Sequence, residues 1–174
     1  DFWIFFTAIS SPDECENNTE YAYQLNVIQT QKLIAWLTNQ GVKVIFASSD
    51  AVFGNKTDKA YDDDKTCPMG EYANQKVLIE NFTENNSLVK IMRLSYVLSL
   101  DDKFSNLLKD HEKSKVKLNV FLGFKRHIVL LDDVILGVKN LIQKWDHFDF
   151  KNINFCGDEL VDRCEMFSIL KDRI

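Results

Sequence analysis

Short, nearly continuous apolar runs alternate along this chain with segments of helical periodicity, and this alternation limits the possible folds more than any other feature. Residues 2–9, 42–47 and 88–94 are rich in branched and aromatic side chains, a pattern typical of strands covered on both faces of a parallel sheet. Residues 21–38 and 70–82 lie between these runs and predict helices. Strands that alternate with helices predict an α/β fold with a parallel sheet.

The second half of the chain continues the alternation. Residues 102–110, 131–145 and 161–170 predict three further helices, and residues 116–121 and 152–155 predict strands. Residues 10–16 read as a polar loop. The chain of 174 residues is therefore long enough for about one domain of this class.

Charge and composition narrow the function classes. The net charge is −5, from 21 basic and 26 acidic residues, which argues against binding to nucleic acid or to an anionic membrane because both require a basic surface. The four cysteines and three histidines have no metal-ligand spacing, so no metal site is predicted. No apolar run is long enough to span a bilayer, and isolated thiols indicate a cytoplasmic location.

Two motifs carry the candidate chemistry. Residues 44–54 read Val-Ile-Phe-Ala-Ser-Ser-Asp-Ala-Val-Phe-Gly, which places hydroxyl groups at the carboxyl end of a buried strand, where ligands bind in open α/β sheets. Residues 68–80 place Tyr72 and Lys76 four apart, hence on one helix face. A lysine cation lowers the pKa of a nearby phenol, normally about 10. With a serine hydroxyl, the pair predicts a proton relay between alcohol and ketone.

These motifs resemble those of the extended short-chain dehydrogenase/reductase family, and within it the dTDP-4-dehydrorhamnose reductase-like branch. That branch has a strand ending S-[ST]-D-x-V-[FY]-G, followed by P-x-x-x-Y-x-x-x-K-x-x-x-E, and both patterns occur here in that order. Further similarities extend over nearly the whole chain, at residues 1–16, 23–30, 91–97, 104–106 and 129–134.

The resemblance implies a role for each matching residue. Ser49 would supply the catalytic hydroxyl, Tyr72 the acid/base group, and Lys76 the cation that tunes the phenol and binds the ribose. The nicotinamide side of an NADP or NAD cofactor would be lined by Thr7, Ala8 and Ser48. Contacts with a nucleotide-sugar substrate would come from Asp50, Arg93, Phe104 and Asn106. The resemblance also allows a homodimer.

Several of these residues have a second interpretation that the sequence leaves open. Ser48 and Ser49 are also suited to cap a turn at the end of a strand. Arg93 could bind a substrate phosphate through its guanidinium fork, and it could equally form an ordinary ion pair. Asp50 is suited to orient a loop, and Asn26 to make a buried hydrogen bond within a helix.

One feature of the family pattern is absent from the sequence. Average usage would give about 12 glycines, but the chain has 6, and they form no G-x-G-x-x-G. The implied fold is therefore a Rossmann-like doubly wound parallel sheet that lacks its N-terminal glycine-rich units. Residues 1–98 would form the C-terminal part of the dinucleotide-binding domain, and residues 99–174 a small substrate-side α/β portion. We expect a fragment of a longer protein, and hydride transfer by this chain alone is doubtful.

Three functions are consistent with this pattern. The first is an NAD(P)-dependent reductase of a 4-keto-6-deoxy sugar nucleotide. The second is a 4-epimerase with the same Ser/Tyr/Lys set, and the third is a non-catalytic regulatory or binding subunit. Sugar dehydratases of the family usually have a glutamate where this chain has Ala51, so dehydration is disfavoured.

Overall fold

A computed structural model describes residues 1–56, 59–114 and 125–170. The alternation of strands and helices is confirmed. The elements in chain order are β1 (Phe2–Phe5), α1 (Pro12–Asn17), α2 (Thr19–Tyr23), a π-helical segment (Gln24–Gln29), α3 (Thr30–Asn39), β2 (Lys43–Ser49), a 3₁₀ turn (Asp50–Phe53), α4 (Glu71–Thr83), β3 (Val89–Leu94), β4 (Tyr96–Leu98), α5 (Lys103–Ser114), β5 (Arg126–Leu130), α6 (Leu131–Gln143), a second 3₁₀ turn (Trp145–His147), β6 (Asn152–Phe155), β7 (Leu160–Val161) and α7 (Arg163–Leu170). The strand predicted at 116–121 lies outside the described residues.

The chain divides into two compact units. The first unit comprises Asp1–Leu94 and Asn140–Asn154, and the second comprises Ser95–Lys139 and Phe155–Ile174. One sheet has the strand order β1-β2-β3-β6, and the other has the order β4-β5-β7. The β1–β2 and β2–β3 pairs are parallel. The carboxyl ends of β1, β2 and β3 therefore lie at the same edge of the first sheet.

The core of the first unit lies between the sheet and its helices. Phe46 of β2 and Ile91 of β3 pack with Val27, with Ile34 of α3 and with Ile79 of α4, and all five are at most 2% exposed. Fully burying one such side chain contributes about 1.5–3 kcal/mol. This packing fixes α3 and α4 against the sheet, and so sets where α4 places its polar side chains.

The predictions for the first strand, at residues 2–9, and for the polar loop, at residues 10–16, were both wrong in part. Strand β1 ends at Phe5 rather than at residue 9, and Trp3 and Ile4, on its two faces, are 45% and 39% exposed rather than covered. In the described part of the chain β1 is an edge strand that pairs with β2 alone. The expected polar loop contains helix α1 instead. Ser11 Oγ accepts a hydrogen bond from the Glu14 N–H, and Pro12 occupies the first turn, where its missing N–H costs nothing.

The helix predicted at 21–38 is interrupted by a wider turn. Helix α2, the π-helical segment and α3 follow one another with helical backbone angles at both junctions. π-Helical turns are rare and occur often at functional sites. The buried side chain of Asn26 lies within this turn. No described helix is both long and apolar enough to cross a membrane.

The second unit has its own core, and one predicted substrate residue belongs to it. Phe104 and Leu108 of α5 pack with Leu98 of β4 and Met166 of α7. Helix α5 begins where Asp102 accepts hydrogen bonds from the backbone N–H groups of Phe104 and Ser105, at 2.7 and 3.2 Å. This is the expected arrangement for a carboxylate at a helix N-terminus.

Replacing Gly54 by alanine should destabilise the first unit strongly. Gly54 has φ +58° and ψ −132°, a conformation that favours glycine, and an added Cβ would lie 2.2 Å from the Cys67 carbonyl oxygen. We expect a loss of at least about 2 kcal/mol in unfolding free energy, measured by urea denaturation. Gly41→Ala is the control, because Gly41 has φ +75° and open space around it, and should lose only about 1 kcal/mol. Equal losses in the two variants would contradict the proposed clash.

Candidate active site

The two serines at the end of β2 are held by different partners. Ser48 is 3% exposed, and its hydroxyl donates to Glu80 Oε1 at 2.5 Å. Ser49 Oγ accepts a hydrogen bond from the Ala51 N–H at 3.2 Å and donates to Asp50 Oδ1 at 3.2 Å. Ser49 therefore caps the 3₁₀ turn, which is the turn role that the sequence left open. Its role toward a substrate stays a prediction.

Helix α4 brings Tyr72 and Lys76 to the same strand end. The Lys76 Nζ donates to the Ala47 carbonyl at 2.7 Å. It lies 5.7 Å from the centre of the Tyr72 ring and 4.7 Å from that of Phe46. Cations are attracted to the faces of aromatic rings at such distances. The structure thus places the ammonium group between the β2 backbone, next to Ser48, and the half-buried tyrosine.

The environment of Lys76 weakens its hold on a proton. Its side chain is nearly buried, at 8% exposed. Burial lowers the pKa of Lys76 from its ordinary value to about 8, while Glu80 and Cys15 act in the opposite direction. The charged form loses solvation in this site. Lys76 is thus still mostly a cation at neutral pH, and it loses its charge as the pH rises through about 8.

Asn26 connects α4 to the loop that follows β1. Its side chain accepts from the Ile9 N–H at 2.9 Å, and it donates to the Ile9 carbonyl at 3.0 Å and to Gln75 Oε1 at 2.8 Å. Asn26 therefore makes buried structural hydrogen bonds. The loop it fixes contains Thr7, which is exposed, and Ala8, which is half-buried. Their predicted contact with a nicotinamide ring stays a prediction.

Two residues that help to place α4 were missed by the sequence analysis. Glu16 Oε1 accepts from the Glu71 N–H at 2.8 Å, which satisfies a backbone donor in the first turn of the helix. Gln75, next to Lys76, is 2% exposed and binds Asn26. In each case the hydrogen-bond partner lies far away in the sequence, Glu16 from Glu71 and Gln75 from Asn26. A glutamine at a buried position within a helical stripe was the only available signal.

Arg93 forms a buried ion pair with Glu80. Its Nε lies 3.2 and 3.1 Å from the two carboxylate oxygens of Glu80, and its Nη2 lies 2.7 Å from Oε2. Its Nη1 donates to the Asp62 carbonyl at 3.0 Å, and the guanidinium lies 5.0 Å from the centre of the Phe53 ring. This is the ion-pair alternative that the sequence left open. A phosphate contact by Arg93 stays a prediction.

The remaining predicted substrate residues have local roles. Asp50 begins the 3₁₀ turn and accepts from Ser49. Phe104 is in the core of the second unit, where the Arg163 guanidinium lies 4.5 Å from its ring centre. Asn106 is exposed and donates to the Asp101 carbonyl at 2.9 Å. Of the predicted residues, the first unit thus brings Ser48, Ser49, Tyr72 and Lys76 to the carboxyl end of β2, and Arg93 lies beside Ser48 on β3.

Comparison with known proteins identifies the family. The RmlD substrate binding domain family matches residues 2–123, which is well over half of the chain, and the chain belongs to this family. The probable low-salt glycan biosynthesis reductase Agl14 of Haloferax volcanii is 31% identical over 110 residues, covering 62% of this chain and 37% of that protein. The resemblance to the extended short-chain dehydrogenase/reductases and their dTDP-4-dehydrorhamnose reductase-like branch is confirmed.

Solved structures confirm the Rossmann-like fold class. A dTDP-4-dehydrorhamnose reductase from Clostridium acetobutylicum has a TM-score of 0.86 at 21% identity, over 99% of this chain and 61% of that chain. A UDP-glucuronic acid 4-epimerase from Bacillus cereus, in complex with UDP-glucuronic acid and NAD, has a TM-score of 0.82 at 21% identity, over 99% and 59%. The chain spans less than two thirds of the length of these relatives.

Proposed function

We propose that this chain is the catalytic part of an NAD(P)-dependent reductase that converts a 4-keto-6-deoxy sugar nucleotide to the alcohol. The observation that carries the proposal is the Lys76 ammonium, buried between the Ala47 carbonyl and the Tyr72 ring. A buried cation next to a phenol is costly, and it suits a site where a phenolate must be stabilised. A homodimer and a cytoplasmic location, which the sequence predicts, belong to the same proposal.

The residues present fit one half of a dinucleotide. An ammonium group has three N–H donors, and Lys76 gives one to Ala47, so the others could donate to the ribose hydroxyls. The sequence contains no glycine-rich fingerprint for the pyrophosphate. The fit is therefore to the nicotinamide-ribose part of the cofactor. When bound, the reduced nicotinamide would supply the hydride that adds to the C4 carbonyl carbon.

The protein groups would handle the proton. Tyr72 Oη would give its proton to the carbonyl oxygen as that oxygen gains negative charge, and Ser49 Oγ would donate a hydrogen bond to the same oxygen. The new C–H and O–H bonds complete the alcohol and leave Tyr72 as a phenolate. The Lys76 cation would stabilise that phenolate until it regains a proton from water.

A 4-epimerase is the second candidate. It is favoured by the likeness in fold to the UDP-glucuronic acid 4-epimerase. The same three side chains would serve it: Tyr72 would remove the proton of the 4-hydroxyl group and later return one to the 4-keto oxygen. The two candidates differ in outcome, because the reductase consumes the reduced cofactor and the epimerase regenerates it.

The full-length natural protein distinguishes these functions. It would be incubated with 4-keto-6-deoxy and 4-hydroxy sugar nucleotides and with NADPH, NADH or NAD, and both cofactor absorbance and sugar configuration would be followed. Stoichiometric cofactor oxidation with formation of the 4-hydroxy sugar supports the reductase. Inversion at C4 without net oxidation supports the epimerase. Tight cofactor binding with no change in any sugar would favour the regulatory subunit and contradict the proposal.

Ser49→Ala in that protein should lower kcat by about 10²-fold, because the substrate oxygen loses one donor as its charge develops. Ser87→Ala is the matched control. Ser87 is exposed in the turn before β3, at the opposite edge of the sheet, and we expect its removal to leave kcat unchanged. An equally active Ser49→Ala protein would remove Ser49 from the mechanism and leave it only its cap of the 3₁₀ turn.

A further inference from the structure

Glu80 is the last residue of the Y-x-x-x-K-x-x-x-E motif, and it has no role in the steps of the proposed reaction. Its side chain is 5% exposed, and it lies four residues after Lys76 on α4. Side chains four apart on a helix are neighbours on one face, with Cβ atoms about 5–6 Å apart. Tyr72, Lys76 and Glu80 therefore follow one another along the same face of α4.

The Glu80 carboxylate is fixed in place by two strands. Arg93 of β3 approaches it with its Nε and Nη2, at 2.7–3.2 Å, and the Ser48 hydroxyl of β2 donates to Oε1. Ser48 and Arg93 are direct partners in the β2–β3 register. A guanidinium fork holds a carboxylate in a defined plane. The carboxylate is therefore held rigidly at the end of β2, where the Lys76 ammonium group also donates to the Ala47 carbonyl.

The groups around Lys76 that do not belong to α4 come from two other elements. The Ala47 carbonyl and the Phe46 ring belong to β2, and the Cys15 thiol belongs to α1. Burial is the main influence on the pKa of Lys76 and lowers it, whereas Glu80 is the largest influence that raises it, followed by Cys15. Burial also raises the pKa of the Cys15 thiol, which keeps that group neutral. The buried carboxylate is thus the principal anion that supports the ammonium.

We propose that Glu80, held by Arg93 and Ser48, is a positioning residue that keeps Lys76 a cation beside Tyr72. The inference rests on the proposed function, since it matters to the reaction only if Lys76 stabilises the phenolate. Arg93 and Ser48 hold the Glu80 carboxylate at the end of β2, where Ser48 follows the Ala47 carbonyl that accepts from the ammonium. In this arrangement Glu80, rather than a bound substrate, keeps the Lys76 side chain protonated.

The test is Glu80→Gln in the full-length protein, which keeps the size and a hydrogen-bonding oxygen but removes the charge. The Lys76 Cε signal would be titrated by NMR with ¹³C-labelled lysine and assigned with Lys76→Arg. We expect the acid dissociation constant of Lys76 to rise about tenfold. At pH 8 the charged fraction of Lys76 is then about one tenth in the variant and about one half in the natural protein. Relative to its own low-pH limit, kcat at pH 8 should therefore be about fivefold lower in the variant than in the natural protein.

Glu84→Gln is the matched control, because Glu84 directly follows α4, is exposed and carries the same charge. It should leave the titration of Lys76 and the alkaline limb of the kcat profile unchanged. A merely structural role for Glu80 would lower kcat uniformly at every pH without moving that limb. A Lys76 signal that titrates at the same pH in Glu80→Gln and in the natural protein would overturn the proposal.

Two further outcomes remain informative. If Glu80→Gln does not fold, Glu80→Gln/Arg93→Met leaves no charge of the pair unpartnered. We expect a displacement of the Lys76 titration in the same direction, because the carboxylate that raises the pKa of Lys76 is absent from both variants. An unchanged titration in the double variant would overturn the proposal equally. If the natural protein turns over no sugar nucleotide, the proposed function fails, and the NMR titration still decides the role of Glu80.

Discussion

Tyr72→Phe in the full-length protein is expected to lower kcat for ketone reduction by about 10²–10⁴-fold, the usual contribution of general acid catalysis. The variant removes one hydroxyl group and keeps the ring, which lies 5.7 Å from the Lys76 Nζ. The cation and its hydrogen bond to Ala47 should therefore stay in place. We expect KM to change little, because the proton is transferred in the transition state and not on binding.

Tyr21→Phe serves as the control for this experiment. Tyr21 is 66% exposed on α2, so loss of its hydroxyl should leave kcat and KM as they are. The pH dependence provides a second measurement. Activity of the natural protein should fall as the pH rises through the pKa of Lys76, about 8, because the neutral amine no longer stabilises a phenolate. A Tyr72→Phe protein with unchanged kcat would exclude the proposed proton relay.

Local patterns predicted much of the fold because they follow from the immediate neighbours along the chain. The apolar run at 42–47 became the buried strand β2, and the spacing of Tyr72 and Lys76 placed both on one side of α4. The π-helical turn could not be predicted, because Asn26 makes its hydrogen bonds with Ile9 and Gln75. Those partners are 17 and 49 residues away in sequence.

Contacts between residues that are distant in sequence also could not be predicted for the candidate active site. The sequence showed that Arg93 follows an apolar run, and it could not say whether the guanidinium meets a phosphate or a carboxylate. Its partner Glu80 lies 13 residues earlier on another element, and only the packing of α4 against β3 brings the two together. Helix α1 was missed for a different reason. Its start signals, Ser11 and Pro12, are local, but the segment holds too few apolar residues to show a period.

Arg93→Met should destabilise the first unit more than any other single variant proposed for this protein. Arg93 and Glu80 are 4% and 5% exposed, and the variant leaves the Glu80 carboxylate buried without its guanidinium partner. Breaking a buried ion pair on one side costs about 3–5 kcal/mol of unfolding free energy. The hydrogen bond to the Asp62 carbonyl and the contact with the Phe53 ring are lost as well. The measurement is the urea midpoint of the full-length protein.

Glu80→Gln/Arg93→Met separates the cost of the unpaired charge from the cost of lost packing. Removal of both charges of a buried pair is often nearly neutral, so the double variant should recover most of the stability that Arg93→Met loses. The two changes would then be strongly non-additive, as expected for residues in direct contact. If the double variant were as unstable as Arg93→Met, the loss would come from the Asp62 and Phe53 contacts, and the ion pair would contribute little to the fold. If the double variant recovers its stability and the titration of Lys76 is still altered, the Arg93–Glu80 pair acts mainly on the protonation of Lys76 and contributes little to the stability of the sheet.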